Sequence, residues 1–400
     1  MQGLPAFCLR PRDLRRGAAL TLAFVAAVTT AAGLGCWDRA GAASRADAGL
    51  TAADTAAPAP GPSGPPAGTA DREAVARAAA EAVAEGKSGK KAAQEVVSRS
   101  GDRWGVVYDQ GEYAALADDL DGRWTGVGLW PERHADGRIE IDKVQPGSPA
   151  ARAGLRAGDR LLDVDGRTVT GLRVPEVVAL LRGDVGTSVV LRFGRDGTPD
   201  RTETLRREQL RTEPVTVTEL PGGITVIKVA SFSRGSGERV KAAVRAAPPG
   251  AGVMLDLRGN PGGLVTEAVT AASAFLDGGL VATYDVRGDE RALYALPGGD
   301  TARPLVALVD GGTMSAAELL TGALQDRGRA VAVGTRTFGK GAVQMPTQLP
   351  DGSVAELTVG TYRTPAGRSL DGKGITPDLA AGTAVEERAR AVLGGLGAGS

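Results

Sequence analysis

The sequence predicts a multidomain α/β protein, with a small β-rich unit inserted ahead of an α/β core and a helical segment on the N-terminal side. Three observations carry this expectation. Between about Asp121 and Arg207, short apolar alternations are separated by turn residues, the pattern of half-buried strands. After Pro214, longer apolar runs alternate with helical patterns, as strands joined by crossover helices do. Between Asp71 and Ser100 the chain is alanine-rich and charged, broken at Gly86 and Gly89, and reads as two short helices.

Size and composition agree with this. A chain of 400 residues has room for two or three domains, and 42% hydrophobic with 24% charged residues is ordinary globular content. The 47 basic residues are balanced by 47 acidic ones, so the electrostatic footprint of a nucleic-acid binder is missing. There is one histidine, His134, and two cysteines, Cys8 and Cys36, both ahead of the globular part. A His/Cys metal cluster cannot be assembled from these, and neither a metal nor another cofactor is expected. A serine nucleophile would have only His134 for a triad, and lysine is the usual substitute base.

Along the chain, Arg10, Arg12, Arg15 and Arg16 precede an uncharged stretch of 21 residues, Gly17 to Trp37. At about 1.5 Å per residue it just spans a bilayer, and the arginines place the remainder outside the cytoplasm. Residues 1–37 therefore read as a signal anchor or as a cleaved signal peptide, the latter because Ala40-Gly-Ala42 has the small-x-small cleavage pattern. A lipid on Cys36 is a third option, although Gly33-Leu-Gly makes a poor lipobox. Residues 38–70, rich in Ala, Gly, Ser, Thr and Pro, read as a flexible tether of roughly 30 Å reach. Residues 71–122 form the N-terminal helical segment.

From 123 to 207, strand-like runs (Gly126–Leu129, Ile139–Ile141, Leu161–Val164, Val189–Phe193) surround one helical run, Val174 to Arg182. Three stretches in order, Val144-Gln-Pro-Gly-Ser-Pro-Ala150, Ala153-Gly-Leu-Arg-Ala-Gly-Asp159 and Leu161-Leu-Asp-Val-Asp-Gly166, resemble a PDZ domain. The resemblance implies that a peptide C-terminus adds as a strand to a sheet edge, its carboxylate held by backbone N–H groups. The corresponding loop is Thr125, Gly126, Val127, Gly128 and Leu129. His134, in the polar stretch after it, reads as a solvated turn residue.

In the core, Ile224–Ser231 and Gly252–Leu257 read as strands, and Gly237–Ala246 and Leu264–Phe275 as helices. Arg258-Gly-Asn-Pro-Gly-Gly263 is a strand-to-helix turn. Further on, the strand Pro304–Val309 ends at Gly311-Gly312, and a helix with Leu319, Leu320, Ala323 and Leu324 on one stripe follows. Ser315 thus stands at a helix N-terminus, where free N–H groups and the dipole favour an oxyanion. Ser315-x-x-Glu318 is equally a capping box, which needs no catalysis to explain it, and Lys340 between Gly339 and Gly341 can be read as an ordinary loop residue.

The ordered set Asp256-Leu-Arg-Gly-Asn-Pro-Gly-Gly-Leu264, Ser315-Ala-Ala-Glu318, Gly334-Thr-Arg-Thr-Phe-Gly-Lys-Gly341, Gln344 and Gly374-Ile-Thr-Pro-Asp378 resembles the C-terminal processing peptidases, or tail-specific proteases. With the PDZ-like part inside it, the likeness covers roughly Asp71 to Leu379. It implies a crotonase/ClpP-like peptidase core over 208–385 followed by a tail, 386–400. Ser315 would be the nucleophile, Lys340 the general base and Gln344 the residue orienting that lysine. The oxyanion donors would be the N–H of Ala316 and of Gly262 or Gly263. Asp310 and Met314 depart from the Asn and the small residue expected there, a difference of loop packing and substrate fit. Such a lysine works only when neutral, so its ordinary pKa of about 10.4 must be lowered by burial.

The expected activity is serine endopeptidase action outside the cytoplasm on proteins or peptides chosen by their free C-termini, with membrane attachment through residues 1–37 if uncleaved. The alternative is a catalytically silent PDZ adaptor on a peptidase-like scaffold. Arg182, at the end of the PDZ-like helix, is a candidate sensor of tail occupancy by position.

Overall fold

The computed structural model describes residues 68–286 and 289–397. The signal, anchor and Cys36 readings lie outside the described residues, as does most of the tether. The N-terminal unit begins with α1 (Arg72–Ala84), capped by Asp71, and α2 (Gly89–Ser100), capped by Ser88. Val75 and Ala79 of α1 pack on Ala93 and Val97 of α2. The unit is not only helical. A three-residue strand, β1 (Val106–Tyr108), too short to leave a periodic signal, is followed by α3 (Gln110–Leu120), whose capping box joins Asp109 and Glu112.

The β-rich unit contains β2 (Arg123–Gly126), β3 (Leu129–Arg133), β4 (Ile139–Val144), α4 (Pro149–Arg152), β5 (Arg160–Val164) and β6 (Arg167–Thr168). α5 (Val174–Leu181), β7 (Ser188–Gly194), β8 (Arg201–Arg206) and β9 (Glu208–Arg211) complete it. The sheet runs β3-β4-β5-β7-β8, with β6 on β5. Alternate residues of its strands, Ile139, Ile141, Leu161, Val189, Leu191 and Phe193, meet Val177 and Leu181 of α5 in one core. The single turn α4, capped by Ser148, has no counterpart in the sequence reading because four residues are too few for helical periodicity. β2 leaves that sheet to pair with β9, so entry and exit chains form a two-stranded ribbon. His134 is in the β3–β4 turn, its Nε2 3.3 Å from Glu140, as expected of a solvated turn residue.

The core follows as β10 (Val215–Leu220), β11 (Ile224–Val229), α6 (Ser236–Ala246), β12 (Gly252–Asp256), α7 (Val265–Ala272), β13 (Leu280–Val286) and β14 (Asp289–Tyr294). It continues with β15 (Leu305–Val309), α8 (Ala316–Asp326), β16 (Val331–Gly334), β17 (Ala342–Gln348), β18 (Val354–Arg363), β19 (Leu379–Ala380) and α9 (Val385–Gly397). One sheet, β10-β11-β12-β15-β16-β19, is parallel apart from its edge strand β10. Its strands are buried on both faces: Val253, Leu255, Leu305 and Ala307 point to the cluster with α6, α7 and α8, while Met254, Val306 and Leu308 meet α9. Residues 386–397 are therefore not a free tail: Val385, Ala389 and Leu393 seal the second face. The alanines and glycines of that helix hid its apolar stripe in the sequence. A second, antiparallel sheet runs β1-β18-β13-β14, with β17 also on β18, and β1 is how the N-terminal unit joins the core.

Candidate active site

Two turns at the ends of parallel strands meet at Ser315. The turn after β15 carries it into α8 with φ 51° and ψ −116°, a left-handed conformation that costs a non-glycine residue about 1–3 kcal/mol. The neighbouring turn after β12 holds that strain in place. Asp310 Oδ1 accepts the N–H groups of Gly259 and Gly312, both at 2.9 Å, Thr313 Oγ1 donates to Leu257 O at 2.9 Å, and Met314 N–H donates to Asn260 O at 2.9 Å. The packing is close enough that a Cβ on Gly262 would lie 2.9 Å from Met314 O and 3.0 Å from Ser315 Cβ. Asp310, where an Asn was expected, thus ties two loops together and leaves the chemistry to others.

Glu318, one turn into α8, joins this loop to the next. Its carboxylate is fully buried and accepts four hydrogen bonds: Ser315 N–H at 2.9 Å, Lys340 N–H at 2.8 Å, Gly339 N–H at 2.7 Å and Thr337 Oγ1–H at 2.6 Å. Burial pushes its carboxyl above the usual range and the four donors oppose that shift. The capping residue of the sequence reading is therefore also the brace that sets Lys340 beside the helix N-terminus.

Lys340 is 4% exposed, and burial lowers its pKa to about 8, with the buried Glu356 acting in the opposite direction. Its flanking glycines let the loop run against residues 370–374, since a Cβ on Gly341 would fall 2.4 Å from Asp371 N. The ammonium nitrogen lies over the Trp104 ring, 5.6 Å from its centre. Gln344, on β17, donates from Nε2 to Trp104 O at 2.6 Å, so lysine and glutamine are both fitted against Trp104. Trp104 is held in turn by Asp371, which accepts from its Nε1 at 2.9 Å, and by Asp102, which accepts its N–H at 3.1 Å. No local pattern points to Trp104, which stands in a turn 236 residues before Lys340 and acts only through the fold.

The two glycines named as oxyanion donors are not equivalent. Gly262 N–H is donated to Asn260 Oδ1 at 2.8 Å, whereas Gly263 N–H and Ala316 N–H have no protein acceptor among the described residues. The Asn260 side chain is itself fixed by donating to Val229 O at 2.9 Å. The site thus combines a strained serine at a helix N-terminus, a buried lysine of lowered basicity and two unclaimed N–H groups, the parts an acyl transfer requires.

Residues 223–381 match the model of peptidase family S41, and residues 140–195 match a PDZ domain. A solved structure, a photosystem II D1 C-terminal processing protease, superposes with a TM-score of 0.50 at 32% identity, covering 74% of this chain and 82% of that one. The chain belongs to peptidase family S41. Among curated relatives, the carboxy-terminal processing protease CtpA of Bacillus subtilis is 33% identical over 294 residues, 72% of this chain and 63% of its own length. The chloroplastic C-terminal processing peptidase of Tetradesmus obliquus is 39% identical over 290 residues, 66% of this chain and 62% of its own. The chain thus spans somewhat under two thirds of these relatives.

In this S41 chain the PDZ domain hangs from the β2–β9 ribbon. Thr125 and Gly126 lie within β2, opposite Gln209 and Glu208, which leaves Val127 and Gly128 as the turn into β3, with Leu129 its first residue. The carbonyls of Val127 and Gly128 accept from Ala150 N–H and Gln145 N–H. β3 ends its sheet on one side and α5 packs against it, the edge-and-helix arrangement into which a peptide strand fits. Arg182, the C-cap of α5, reaches across to α3, its Nη1 3.7 Å from Asp119 Oδ2. The candidate sensor therefore touches the N-terminal unit, and none of the residues around Lys340.

Proposed function

We propose that this S41 chain is a serine endopeptidase working through a Ser315–Lys340 dyad on protein substrates selected by their C-terminal tails. The observation that carries the reading is the pairing of Ser315 and Lys340 on one buried carboxylate, Glu318, together with a lysine whose burial brings its pKa to about 8. Neutral Lys340 takes the proton of Ser315 Oγ, and the alkoxide attacks the scissile carbonyl carbon. The oxyanion that forms is met by the N–H groups of Ala316 and Gly263. Lys340 returns the proton to the departing amine as the C–N bond breaks. A water, deprotonated by the same lysine, then cleaves the acyl-enzyme ester and frees Ser315.

Gln344 supports Lys340 through their shared contact with Trp104. The Val127–Gly128 turn and the β3 edge, from Leu129 on, receive the substrate's terminal carboxylate and its last residues. The arginines and uncharged run of residues 1–37 support action outside the cytoplasm, with the core tethered to or released from the membrane. Incubating the protein with an unstructured polypeptide, beside its Ser315→Ala variant, tests the reading: cleavage by the first and none by the second is expected. Binding without cleavage by both would instead identify a silent adaptor.

A further inference from the structure

Glu356 is a buried ionisable group that the dyad mechanism does not use. It lies on β18, opposite Pro346 of β17 and Val106 of β1, and is 1% exposed. Opposite residues of an antiparallel pair share a face, as do residues two apart on one strand. Thr358, two residues on, stands opposite Gln344, so Glu356, Thr358 and Gln344 occupy one face of the β17–β18 pair. That face is covered by the Asp102–Gly105 turn: Gln344 bonds Trp104 O, Thr358 bonds Asp102, and the Lys340 ammonium rests on the Trp104 ring. Glu356 thus shares the strand face that this turn covers at Thr358 and Gln344, and its charge acts on the Lys340 ammonium.

Each other carboxylate around Lys340 has its charge directed to fixed donors. Glu318 from α8 holds four, Asp102 holds the N–H groups of Trp104, Gly105 and Thr358 besides the Thr358 hydroxyl, and Asp371 holds the Trp104 indole. The Arg103 guanidinium lies over the Trp104 ring, 4.5 Å from its centre. Glu356 differs: its Oε2 is buried with no hydrogen-bond partner. The other titratable groups facing it are Tyr108 of β1 and Tyr113 of α3, whose hydroxyls burial keeps un-ionised.

We propose, resting on the dyad reading, that Glu356 is a positioning residue whose buried carboxylate, with one oxygen unclaimed by any donor, holds Lys340 in its charged form and so sets the pH at which the dyad becomes active. A negative charge in a low-dielectric enclosure favours the protonated amine. Burial raises the Glu356 carboxyl to about 7, close to the lysine's own titration, so the two groups exchange charge over the same narrow pH range.

The test is the pH dependence of kcat/KM on a chromogenic peptide for the wild type, Glu356→Gln and Ser315→Ala. In Glu356→Gln the rising limb moves to lower pH by about half a unit or more, with the high-pH plateau within about threefold of wild type. An unmoved limb in an active Glu356→Gln variant overturns the proposal and leaves the dyad intact. Hydrolysis surviving in Ser315→Ala overturns the dyad reading instead. Should Glu356→Gln not fold, NMR titration of ¹³Cε-labelled lysine in Ser315→Ala, with Lys340 assigned by difference, decides the matter: two inflections are expected, and a single one overturns the proposal.

Discussion

Ser315 and Lys340 donate their backbone N–H groups to the same oxygen, Glu318 Oε2, at 2.9 and 2.8 Å. Their main chains are thereby fixed against each other by a group that itself sits in the first turn of α8. The proposed dyad, assembled from two loops, needs such a brace, because a displacement of about 1 Å between reacting groups can cost a hundredfold in rate.

Replacing either member should remove nearly all hydrolysis. Loss of a general base costs typically about 10²–10⁴-fold, and residues that act as one unit are not additive. Ser315→Ala, Lys340→Ala and the double variant are thus expected to show the same residual kcat/KM, with circular dichroism unchanged. A Lys340→Ala enzyme keeping more than about a tenth of wild-type kcat/KM would point to another base.

Glu318→Gln puts the brace itself to the test. A carboxamide presents an NH₂ group where the carboxylate accepts, so either the Ser315 and Lys340 N–H pair or the Thr337 and Gly339 pair loses its acceptor. Each buried donor left unsatisfied costs about 1–3 kcal/mol. The variant should melt several degrees below wild type and lose at least about tenfold in kcat with KM less affected. Unchanged Tm and kcat would show that the four hydrogen bonds are not what positions the dyad.

How far the sequence carried this picture depended on the range of the interactions concerned. The β12 and β15 strands, α8, the α5 helix and the glycine-bounded turns were legible because their signals are local: period, caps and turn residues. Ser315 was singled out by its place where a strand turns into a helix, and Lys340 by the family resemblance together with the lack of a usable histidine. Trp104 and Glu356 were not, since each enters the site only when β1 and β18 pair across some 250 residues of chain. The same holds for Gly262 against Gly263: either glycine fits the turn, and only the Asn260 side chain, folded back onto Gly262 N–H, distinguishes them. α9 escaped because its alanines and glycines bury a face without the bulky residues that mark one.

Activity should rise with pH through the titration of Lys340, near 8, well below an ordinary lysine. The deprotonated amine is the active form, so kcat/KM should climb about tenfold per pH unit below the midpoint and level off above it. The described residues contain no group of three potential metal ligands, and chelators should leave the rate unchanged. Inactivation by EDTA reversed by zinc would place the chemistry elsewhere.

On the proposed capture of a peptide end by the Val127–Gly128 turn and the β3 edge, substrate choice should depend on the terminal carboxylate, with Ser315 working in a separate domain. Hydrogen bonds to a charged acceptor contribute about 1.5–3 kcal/mol, so amidating the substrate's C-terminus should lower kcat/KM about 10- to 150-fold with little change in shape. The effect should appear mainly in KM if the PDZ domain only captures the tail, and also in kcat if occupancy reaches the core through Arg182 and Asp119. Arg182→Ala separates the two: a capture-only domain leaves the free-to-amidated ratio in kcat at one, while a communicating one loses a ratio that the wild type shows. Equal kcat/KM for free and amidated peptides on the wild-type protein would mean that the PDZ domain does not select tails, leaving an endopeptidase without C-terminal preference.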